Sequence, residues 1–372
     1  MNRSRSQTKE PREVRPYAQE SLLIDAVPEM SGRSVLCTSA GLAQFAIAAG
    51  NALPEARVSC TYLDLYRASL AVDHWPELPP NVSIECATDF PEVEADVVAF
   101  PFSSAGEAEL TRDLIQTGHE RLRRGGQMYV ATENRRDKWL QEVLAKIFRK
   151  LERRAYTKGV LYVGTKTDPL KKIKNYGCEF AFNDRGRLIR ALSRPGVFSH
   201  RHIDTGARRL IDEMKIDPGA RVLDIGCGAG TVALAAACHG PGVVVHAVDS
   251  NARAVECAER GALLNELPNI TVELNAAGNV ANAGQYDLVL ANPPYYSEFR
   301  IASHFLVAGH DALRPGGRIL VVTKRIDWYN ETMPQLFENV TISERKGYHL
   351  VEAIRPNEKS KKPQVAVGSQ TL

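Results

Sequence analysis

The stretch from Val222 to Gly230 reads Val-Leu-Asp-Ile-Gly-Cys-Gly-Ala-Gly and decides the fold. Its first four residues form a short strand, and the alternating glycines form a tight turn that opens a helix. Glycines let the backbone approach a ligand closely, and the first turn of a helix offers free N–H groups. The stretch therefore predicts a ligand-binding turn at the carboxyl end of a buried strand.

The spacing within this turn argues against a dinucleotide site. A dinucleotide fingerprint has a glycine or alanine three residues beyond Gly228, where this chain has Thr231. Such a fingerprint needs no acid at position 224, where this chain has Asp224. Asp224 can take up an ammonium, and Asp249, which ends the next strand, can accept both hydroxyls of a ribose. The pattern predicts S-adenosylmethionine as the cofactor, bound by Asp224, Gly226, Gly228, Gly230 and Asp249.

A second motif, Asn292-Pro293-Pro294-Tyr295, follows the apolar run from Tyr286 to Ala291. The two prolines fix φ and remove backbone donors, so the turn presents carbonyl acceptors and the Asn side chain in a rigid frame. Tyr295 offers a face on which a flat base or amide can stack. The motif indicates a site that holds a planar amine, although two prolines after a strand can also form a merely stiff loop.

The sequence contains an internal repeat, in which three segments recur in the same order at nearly one offset. The matching pairs are residues 35–36 with 222–223, 96–98 with 287–289, and 122–128 with 313–319. These matches indicate a tandem duplication, with one copy at 20–180 and the other at 190–356. The polar, aperiodic ends, 1–19 and 357–372, are expected to be disordered.

Each copy alternates short apolar strands with helical segments. This pattern predicts an α/β protein made of two tandem Rossmann-like domains with mostly parallel seven-stranded sheets. The strands predicted for the second copy are 221–225, 243–248, 270–273, 287–290, 318–322, 340–342 and 349–353.

The bulk composition is that of a globular cytoplasmic protein. Of the 372 residues, 44% are hydrophobic and 24% are charged, and no stretch has the length of a membrane span. The seven cysteines form no Cys-x-x-Cys pair, so we expect reduced thiols, no disulfide framework and no metal. The length favours two domains.

Charge is concentrated in the middle of the chain. Residues 121–201 contain 21 Lys and Arg against 7 Asp and Glu, a local charge of +14 in a chain of net charge +3. Apolar residues at three- and four-residue steps from Trp139 to Leu151 predict an amphipathic helix. Its outer face would carry Lys146, Arg149, Lys150, Arg153 and Arg154. This basic surface favours a polyanion as partner, although it can also be a solvated face.

The second copy resembles class I S-adenosylmethionine-dependent methyltransferases, and more narrowly the bacterial ribosomal RNA guanine-N2 methyltransferases of the "methyltransferase small" group. The marks of this resemblance are Phe198-Ser199, Asp204-Thr205-Gly206, residues 224–230, Asp249 and residues 292–295. It covers residues 195–356 well, and the first copy by domain order and strand-helix pattern only.

The resemblance implies methyl transfer to the exocyclic amine of a guanine. Asn292 Oδ1 and the Pro293 carbonyl would accept the two N–H bonds of the amine, Pro294 would stiffen the turn, and Tyr295 would stack on the base. It also implies an adenine contact after the third strand, among Asn275, Ala276 and Ala277, which we assign to Asn275. The implied partner is ribosomal RNA or a ribosomal subunit, bound by a monomer without metal or membrane.

The first copy has lost both motifs. It has Cys37-Thr38-Ser39-Ala40-Gly41 in place of the glycine-rich turn, and Pro101-Phe102-Ser103-Ser104 in place of the Asn-Pro-Pro-Tyr motif. We expect it to bind no cofactor, and the resemblance gives it a role in RNA recognition and in support of the second copy.

Two other functions remain open at this point. An Asn-Pro-Pro-Tyr turn can also hold the side-chain amide of a protein glutamine, which would make the chain a protein-glutamine N5 methyltransferase. A non-catalytic RNA-binding or ribosome-assembly factor could retain the cofactor turn. Lys324 and Arg325, which follow a strand, can contact RNA phosphate or be ordinary surface charges. Trp328 and Tyr329 can form a platform for a base, but we assign them to core packing.

Overall fold

The computed structural model describes residues 14–294 and 298–357. Two seven-stranded sheets follow one another along the chain, and a two-stranded hairpin lies between them in sequence. The predicted α/β fold with two mostly parallel sheets is confirmed. Among the described residues, no helix combines the length and the apolar character needed to cross a bilayer.

The N-terminal sheet has the strand order β3-β2-β1-β4-β5-β7-β6, in which only β7 is antiparallel to its neighbours. Its strands are β1 (Ser34–Cys37), β2 (Arg57–Tyr62), β3 (Val82–Cys86), β4 (Ala95–Phe102), β5 (Leu122–Thr132), β6 (Lys150–Tyr156) and β7 (Gly159–Thr165). Its helices are α1 (Ala18–Ala26), α2 (Gln44–Ala52), α3 (Leu65–His74), α4 (Ala108–Arg121) and α5 (Trp139–Ala145), with a 3-10 turn at Val27–Glu29.

The C-terminal sheet repeats this topology as β12-β11-β10-β13-β14-β16-β15, after the hairpin of β8 (Cys178–Asp184) and β9 (Arg187–Ser193). Its strands are β10 (Arg221–Ile225), β11 (Val244–Asp249), β12 (Ile270–Leu274), β13 (Tyr286–Ala291), β14 (Leu313–Thr323), β15 (Glu338–Arg345) and β16 (Tyr348–Ile354). Its helices are α6 (Thr205–Glu213), α7 (Thr231–Ala237), α8 (Ala252–Leu264), α9 (Arg300–Ala312) and α10 (Ile326–Leu336). All seven strands predicted for this copy are confirmed.

The repeat is also visible in side-chain contacts. Asp96 Oδ2, at the start of β4, accepts from the Ser34 backbone N–H at 3.0 Å, and its other oxygen is paired with Arg123. Asp287, the matching residue of β13, accepts from the Arg221 N–H at 2.8 Å and from Arg314 Nε at 2.6 Å. The same acid therefore joins the central strands in both domains.

Apolar packing on both faces holds the C-terminal sheet. One buried cluster packs α6 and α7 against β10, β11 and β14, and the other packs α9 and α10 against the opposite face. The parallel strands β10, β11, β12 and β13 end at one edge of the sheet. Both sequence motifs follow these strands, so the fold collects them at that edge.

Buried ion pairs join the two domains. The Arg253 side chain is fully buried, and its guanidinium lies 3.0 Å from Asp89 Oδ1 and 2.8 Å from Asp113 Oδ2 of the N-terminal domain. Arg194 bridges Asp89 at 2.7 Å and Glu256 of α8 at 2.6 Å. The end of α8 that follows Asp249 is therefore anchored on the N-terminal domain.

The predicted amphipathic helix over 139–151 is wrong in its second half. The helix ends at Ala145, and Lys150–Tyr156 forms the edge strand β6, which pairs with β7. Pairing along the whole of β7 outweighs the local helical pattern, because it satisfies the backbone groups of seven residues at once. Two cations of the predicted basic face are also paired, since Arg154 bonds Glu29 at 2.6 Å and Arg149 lies 3.5 Å from Asp168.

The predicted domain limits need two corrections. Helix α1 begins at Ala18, so the last two residues of the segment 1–19, expected to be disordered, are helical. The hairpin β8–β9 spans the predicted boundary at 180–190, yet Phe182, Ile189 and Ala191 lie in the C-terminal core. Alternation of buried residues along both strands explains this placement. Residues 1–13 and 358–372 lie outside the described residues.

Candidate active site

The glycine-rich turn joins β10 to α7, and its three glycines have φ of 71°, 53° and 77° at Gly226, Gly228 and Gly230. A Cβ at Gly226 would lie 2.6 Å from the Phe305 ring, and one at Gly230 would lie 2.8 Å from Ala258 Cβ. At Gly228 no atom lies within 4 Å of that position. Two glycines thus permit close packing, and the third leaves open space above the turn.

Asp224 is the most unusual group of the site. It is 2% exposed, and its Oδ2 has no hydrogen-bond partner among the described residues. Burial raises the pKa of its carboxyl to about 7, and the nearby charge of Asp249 acts in the same direction. A backbone hydrogen bond from Ala233 opposes this rise in pKa. A buried carboxylate oxygen without a partner is costly, so Asp224 Oδ2 calls for a cationic group in the adjoining pocket.

Asp249 is tied to the glycine-rich turn. Its Oδ2 accepts from the Gly228 N–H at 2.8 Å, and its Oδ1 accepts from the Asn251 N–H at 2.8 Å. Burial raises the pKa of this carboxyl, whereas the two N–H bonds oppose that shift. Each oxygen retains a free lone-pair direction, so the carboxylate can accept the paired hydroxyls of a ribose.

Asn275 follows β12, as predicted, but its side chain is engaged in its own loop. Its Nδ2 donates to Glu273 Oε1 and to the Asn279 carbonyl, both at 2.8 Å. Its Oδ1 accepts from the N–H groups of Ala277 and Gly278 at 3.0 Å. This geometry describes a residue that shapes the loop, and the adenine contact stays a prediction.

Asn292 is oriented by an acid from another element. Its Nδ2 donates to Asp204 Oδ2 at 2.9 Å, and the same Asp204 caps α6 by accepting from the Ala207 N–H at 2.9 Å. Donation to a carboxylate fixes which end of the amide is the oxygen. Asn292 Oδ1 is thereby left as an acceptor, on a residue that lines the same pocket as Asp224.

The loop of residues 198–204 closes one side of the pocket. Asp224, the glycine-rich turn and Asn292 line the same pocket as Phe198, Ser199, His202 and Asp204. Phe198 is 59% exposed, and Ser199 has a φ of 55°, which holds the loop in a bent conformation. The structure therefore brings the cofactor motif and Asn292 together around one cavity.

The diproline turn is described as far as Pro294. Pro293 is buried and Pro294 is partly buried, and neither lies in a helix or strand. Tyr295 lies outside the described residues. The roles of Pro293, Pro294 and Tyr295 therefore stay predictions.

Sequence reasoning gave no role to three residues of this pocket. Asp204, Gly206 and Phe198 were noted as marks of the resemblance alone. A Cβ at Gly206 would lie 2.9 Å from both Asn292 Oδ1 and Asp204 Oδ2, so any larger residue would displace these two side chains. The available signal was the Asp-Thr-Gly sequence itself, since Asp is a strong helix cap and a glycine just inside a helix needs a packing reason.

In the N-terminal domain, the side chain of Glu20 occupies the position equivalent to the cofactor pocket. Glu20 is fully buried, and its carboxylate accepts from Ser39 Oγ at 2.7 Å and from the Gly41 N–H at 3.0 Å. It also accepts from the N–H groups of Ala40 and Phe45 at 3.2 Å. An acid of this domain therefore occupies the donors that a ligand would use. Among the described residues, no cluster of three acids, His or Cys could hold a metal ion.

The strand order, the glycine-rich turn with its two acids, and the Asn-Pro-Pro corner together define a class I methyltransferase fold with a candidate cofactor site in its C-terminal domain. Residues 189–352 match the family described as "Methyltransferase small domain". The C-terminal domain therefore carries the likeness to this family.

Two similar proteins each match somewhat less than half of this chain. The chain is 28% identical over 189 residues to the "Uncharacterized protein YbxB" of Bacillus subtilis, covering 49% of this chain and 93% of that protein. It is 31% identical over 168 residues to the "Ribosomal RNA small subunit methyltransferase C" of Shewanella amazonensis, covering 44% of this chain. That match spans about half of the relative's length, 48%.

One solved structure shares the two-domain arrangement. The T. thermophilus 16S rRNA N2 methyltransferase, solved with AdoMet and guanosine, superposes with a TM-score of 0.73. The superposition covers 91% of both chains at 18% sequence identity. This likeness establishes the fold over both domains. The family match lies in the C-terminal domain and covers less than half of the chain.

Proposed function

We propose that this chain transfers a methyl group from S-adenosylmethionine to the exocyclic N2 amine of a guanine in ribosomal RNA. The observation that carries the proposal is the hydrogen bond from Asn292 Nδ2 to Asp204, which leaves Oδ1 as an acceptor on a residue that lines the pocket of Asp224. The similar proteins support the substrate class, because one is named as a ribosomal RNA methyltransferase and another was solved with guanosine.

The described residues fit S-adenosylmethionine. The unpartnered Oδ2 of Asp224 would accept from the ammonium of the amino-acid end. Asp249 would accept the ribose hydroxyls, and Gly228 leaves room for the ligand above the turn. When bound, the cofactor supplies a methyl group on an electrophilic sulfonium.

The protein contributes mainly by aligning the guanine amine that accepts the methyl group. The lone pair of the guanine amine is delocalised into the ring, so the nitrogen is a poor nucleophile. Asn292 Oδ1 and the Pro293 carbonyl would accept its two N–H bonds and stabilise the positive charge that develops on nitrogen. Asp204 would keep Asn292 in this orientation. As the new N–C bond forms and the S–C bond breaks, the amine becomes cationic and then loses a proton to water.

The target base must leave its stack to reach this pocket. Tyr295 would stack on the base, and the positive residues of 121–201 would contact the RNA backbone. The N-terminal domain, with Glu20 in its own turn, would support the catalytic domain and RNA recognition without binding cofactor. A ribosomal substrate would place a monomeric enzyme in the cytoplasm.

The test combines transfer of labelled methyl groups with mapping of the product. Ribosomal RNA and ribosomal subunits from cells that lack this protein would be incubated with the purified chain, and nucleosides would be separated by mass spectrometry. We expect N2-methylguanosine with the wild-type chain and none with Asn292→Ala, whose cofactor affinity stays near wild type by calorimetry. Label on protein glutamine, or no label at all with an intact cofactor site, would contradict the proposal.

A further inference from the structure

The residue that follows the fifth strand differs in charge between the two domains. Glu133 follows β5 and Lys324 follows β14, and the two positions are related by the repeat offset of 191. Glu133 Oε1 accepts from the Ser104 N–H at 2.8 Å and from Ser104 Oγ at 2.7 Å. In the N-terminal domain this acid thus closes the loop that replaces the Asn-Pro-Pro-Tyr motif.

In the C-terminal domain the same corner presents two cations. Lys324 and Arg325 are exposed, and neither has a carboxylate within 4.0 Å among the described residues. Lys324 Nζ lies 4.6 Å from the centre of the Tyr348 ring, and Arg325 Cζ lies 5.4 Å over the Phe299 ring. Aromatic faces hold both cations in place without neutralising them.

A stacked aromatic pair supports this corner. The Phe299 and Trp328 rings are parallel within 5°, with centres 4.7 Å apart. Trp328, assigned from the sequence to core packing, is only partly buried. The rings and the two cations, Lys324 and Arg325, form one surface, which we call the cationic corner.

The cationic corner adjoins the acceptor site. The Tyr348 ring, on which Lys324 rests, would be 3.3 Å from a Cβ at Gly206, and Asn292 Oδ1 would be 2.9 Å from the same point. Lys324 therefore rests on a ring that packs beside the same glycine as Asn292. Phe299 lies only five residues after Pro294, on the other side of the diproline turn.

We propose that the cationic corner binds the backbone phosphates that flank the target guanosine. The inference rests on the proposed function and specifies how its RNA is held. Unpaired, exposed cations beside a base-accepting pocket can contact the phosphates next to a bound nucleotide, and Arg and Lys are the usual phosphate ligands. Glu133, at the matching position of the N-terminal domain, would repel RNA. The positive charge therefore occurs in the domain that has the Asn-Pro-Pro-Tyr motif, and the negative charge in the domain that lacks it.

The experiment compares ligands with and without phosphate. Binding and methylation of guanosine, and of a trinucleotide with guanosine in the centre, would be measured for the wild type and for the double variant Lys324→Gln/Arg325→Gln. We expect the variant to bind the trinucleotide at least tenfold more weakly and to keep its affinity for guanosine. The slope of log affinity against log salt should fall by about 0.7 for each phosphate that the variant no longer neutralises.

Lys215→Gln is the matched control, because Lys215 is exposed and precedes β10 at the opposite edge of the sheet. It should leave both affinities unchanged. An equal weakening for guanosine and for the trinucleotide, or an unchanged salt slope, would overturn the proposal. A wild-type chain that methylates neither ligand nor ribosomal RNA would instead contradict the proposed function, and cofactor calorimetry on each variant verifies that the domain is folded.

Discussion

Asp64 and Asn251 pair as an isolated antiparallel bridge between the two domains. Each is also a helix cap, since Asp64 Oδ1 accepts from the Arg67 N–H at 3.0 Å and Asn251 Oδ1 accepts from the Arg253 N–H at 2.9 Å. They lie 187 residues apart, the offset that relates β1 to β10. The two domains therefore contact each other through the same position of the repeat.

The hydrogen bonds around this bridge obey the same symmetry. The Leu65 N–H donates to the Ser250 carbonyl at 2.7 Å, and the Ala252 N–H donates to the Leu63 carbonyl at 2.8 Å. Exchange of the two domains converts one bond into the other. The loop that follows Asp249 is thus held by the domain whose own turn is filled by Glu20.

The first prediction concerns this support of Asp249. Ser250 Oγ donates to Asp64 Oδ2 at 2.7 Å, so Ser250→Ala should loosen the loop that carries the ribose acid. We expect the dissociation constant for S-adenosylmethionine to rise roughly three- to thirtyfold, the value of a hydrogen bond to a charged group at a partly exposed site. Calorimetry measures this constant, and kcat at saturating cofactor should change much less.

Ser21→Ala is the control for this change, because Ser21 Oγ accepts from Lys158 Nζ at 2.7 Å within the N-terminal domain alone. It should leave cofactor binding unaltered. An unchanged dissociation constant in Ser250→Ala would show that the domain contact has no part in cofactor binding.

The second prediction concerns the space beside Asn292. In Gly206→Ala the new methyl group would lie 2.9 Å from Asn292 Oδ1, so the amide must move. A displacement of about 1 Å at a catalytic group lowers kcat by roughly a hundredfold. Cofactor affinity should fall far less, since the three atoms nearest to the new methyl group belong to Asn292, Asp204 and Tyr348 and none belongs to the glycine-rich turn. Gly240→Ala is the matched control, because a Cβ there meets no atom within 4 Å.

The third prediction is a pH dependence of stability. Burial raises the pKa of Asp224 to about 7 in the folded chain, well above its value in the unfolded chain. The folded state therefore holds a proton that the unfolded state releases, and the free energy of unfolding decreases as pH rises from about 4 to 7. Asp224→Asn removes the buried ionisable carboxyl and should stabilise the cofactor-free protein by about 2–4 kcal/mol at pH 8.

Thermal unfolding of the cofactor-free wild type and of Asp224→Asn, measured from about pH 4 to pH 8, tests this sign. The difference in melting temperature should be largest above about pH 7 and should vanish near pH 4. In the same variant the affinity for S-adenosylmethionine should drop, because an amide cannot neutralise an ammonium. A variant that is less stable than wild type at the alkaline end would mean that the carboxylate has a partner in the folded protein.

The fourth prediction concerns Glu20. Glu20→Ala leaves partly buried donors of the turn from Ser39 to Gly41 unsatisfied, and a fully buried donor in that state costs about 1–3 kcal/mol. We therefore expect a drop of several degrees in the melting temperature of the N-terminal domain. Removal of the acid should not create a second cofactor site, because this domain has Tyr62 where the C-terminal domain has Asp249.

Calorimetric titration with S-adenosylmethionine should give one site per chain for the wild type, for Glu20→Ala and for the milder Glu20→Gln. Two sites in any of them would contradict the assignment of the N-terminal turn as a non-binding copy. An unchanged melting temperature in Glu20→Ala would show that the acid does not hold the turn.

Local patterns account for what the sequence predicted. The strands of the C-terminal sheet, Asp224 and Asp249 could be placed because buried strands are short apolar runs and the glycines follow directly. The pairing of Asp204 with Asn292 could not be predicted, since 88 residues separate them and each has an adequate local explanation as a cap or a turn. Contacts between residues this far apart in the sequence form only when the sheet is assembled.

The errors have the same origin. The apolar residues from Trp139 to Leu151 fit a helix, yet β6 forms because β7 offers it a complete set of backbone partners. Glu20 lay at the edge of a segment expected to be disordered, so its role in the N-terminal turn had no sequence signal. Both cases are decided by tertiary contacts that a local pattern does not contain.

The bridge between Asp64 and Asn251 has an evolutionary consequence. A surface that meets its own duplicate across a twofold relation is the kind that joins identical subunits in a homodimer. Fusion of two such subunits keeps each domain permanently close to its partner. One domain can then lose its catalytic residues while the contact between the domains persists. The two domains of this chain, expressed as separate polypeptides, should therefore associate in solution.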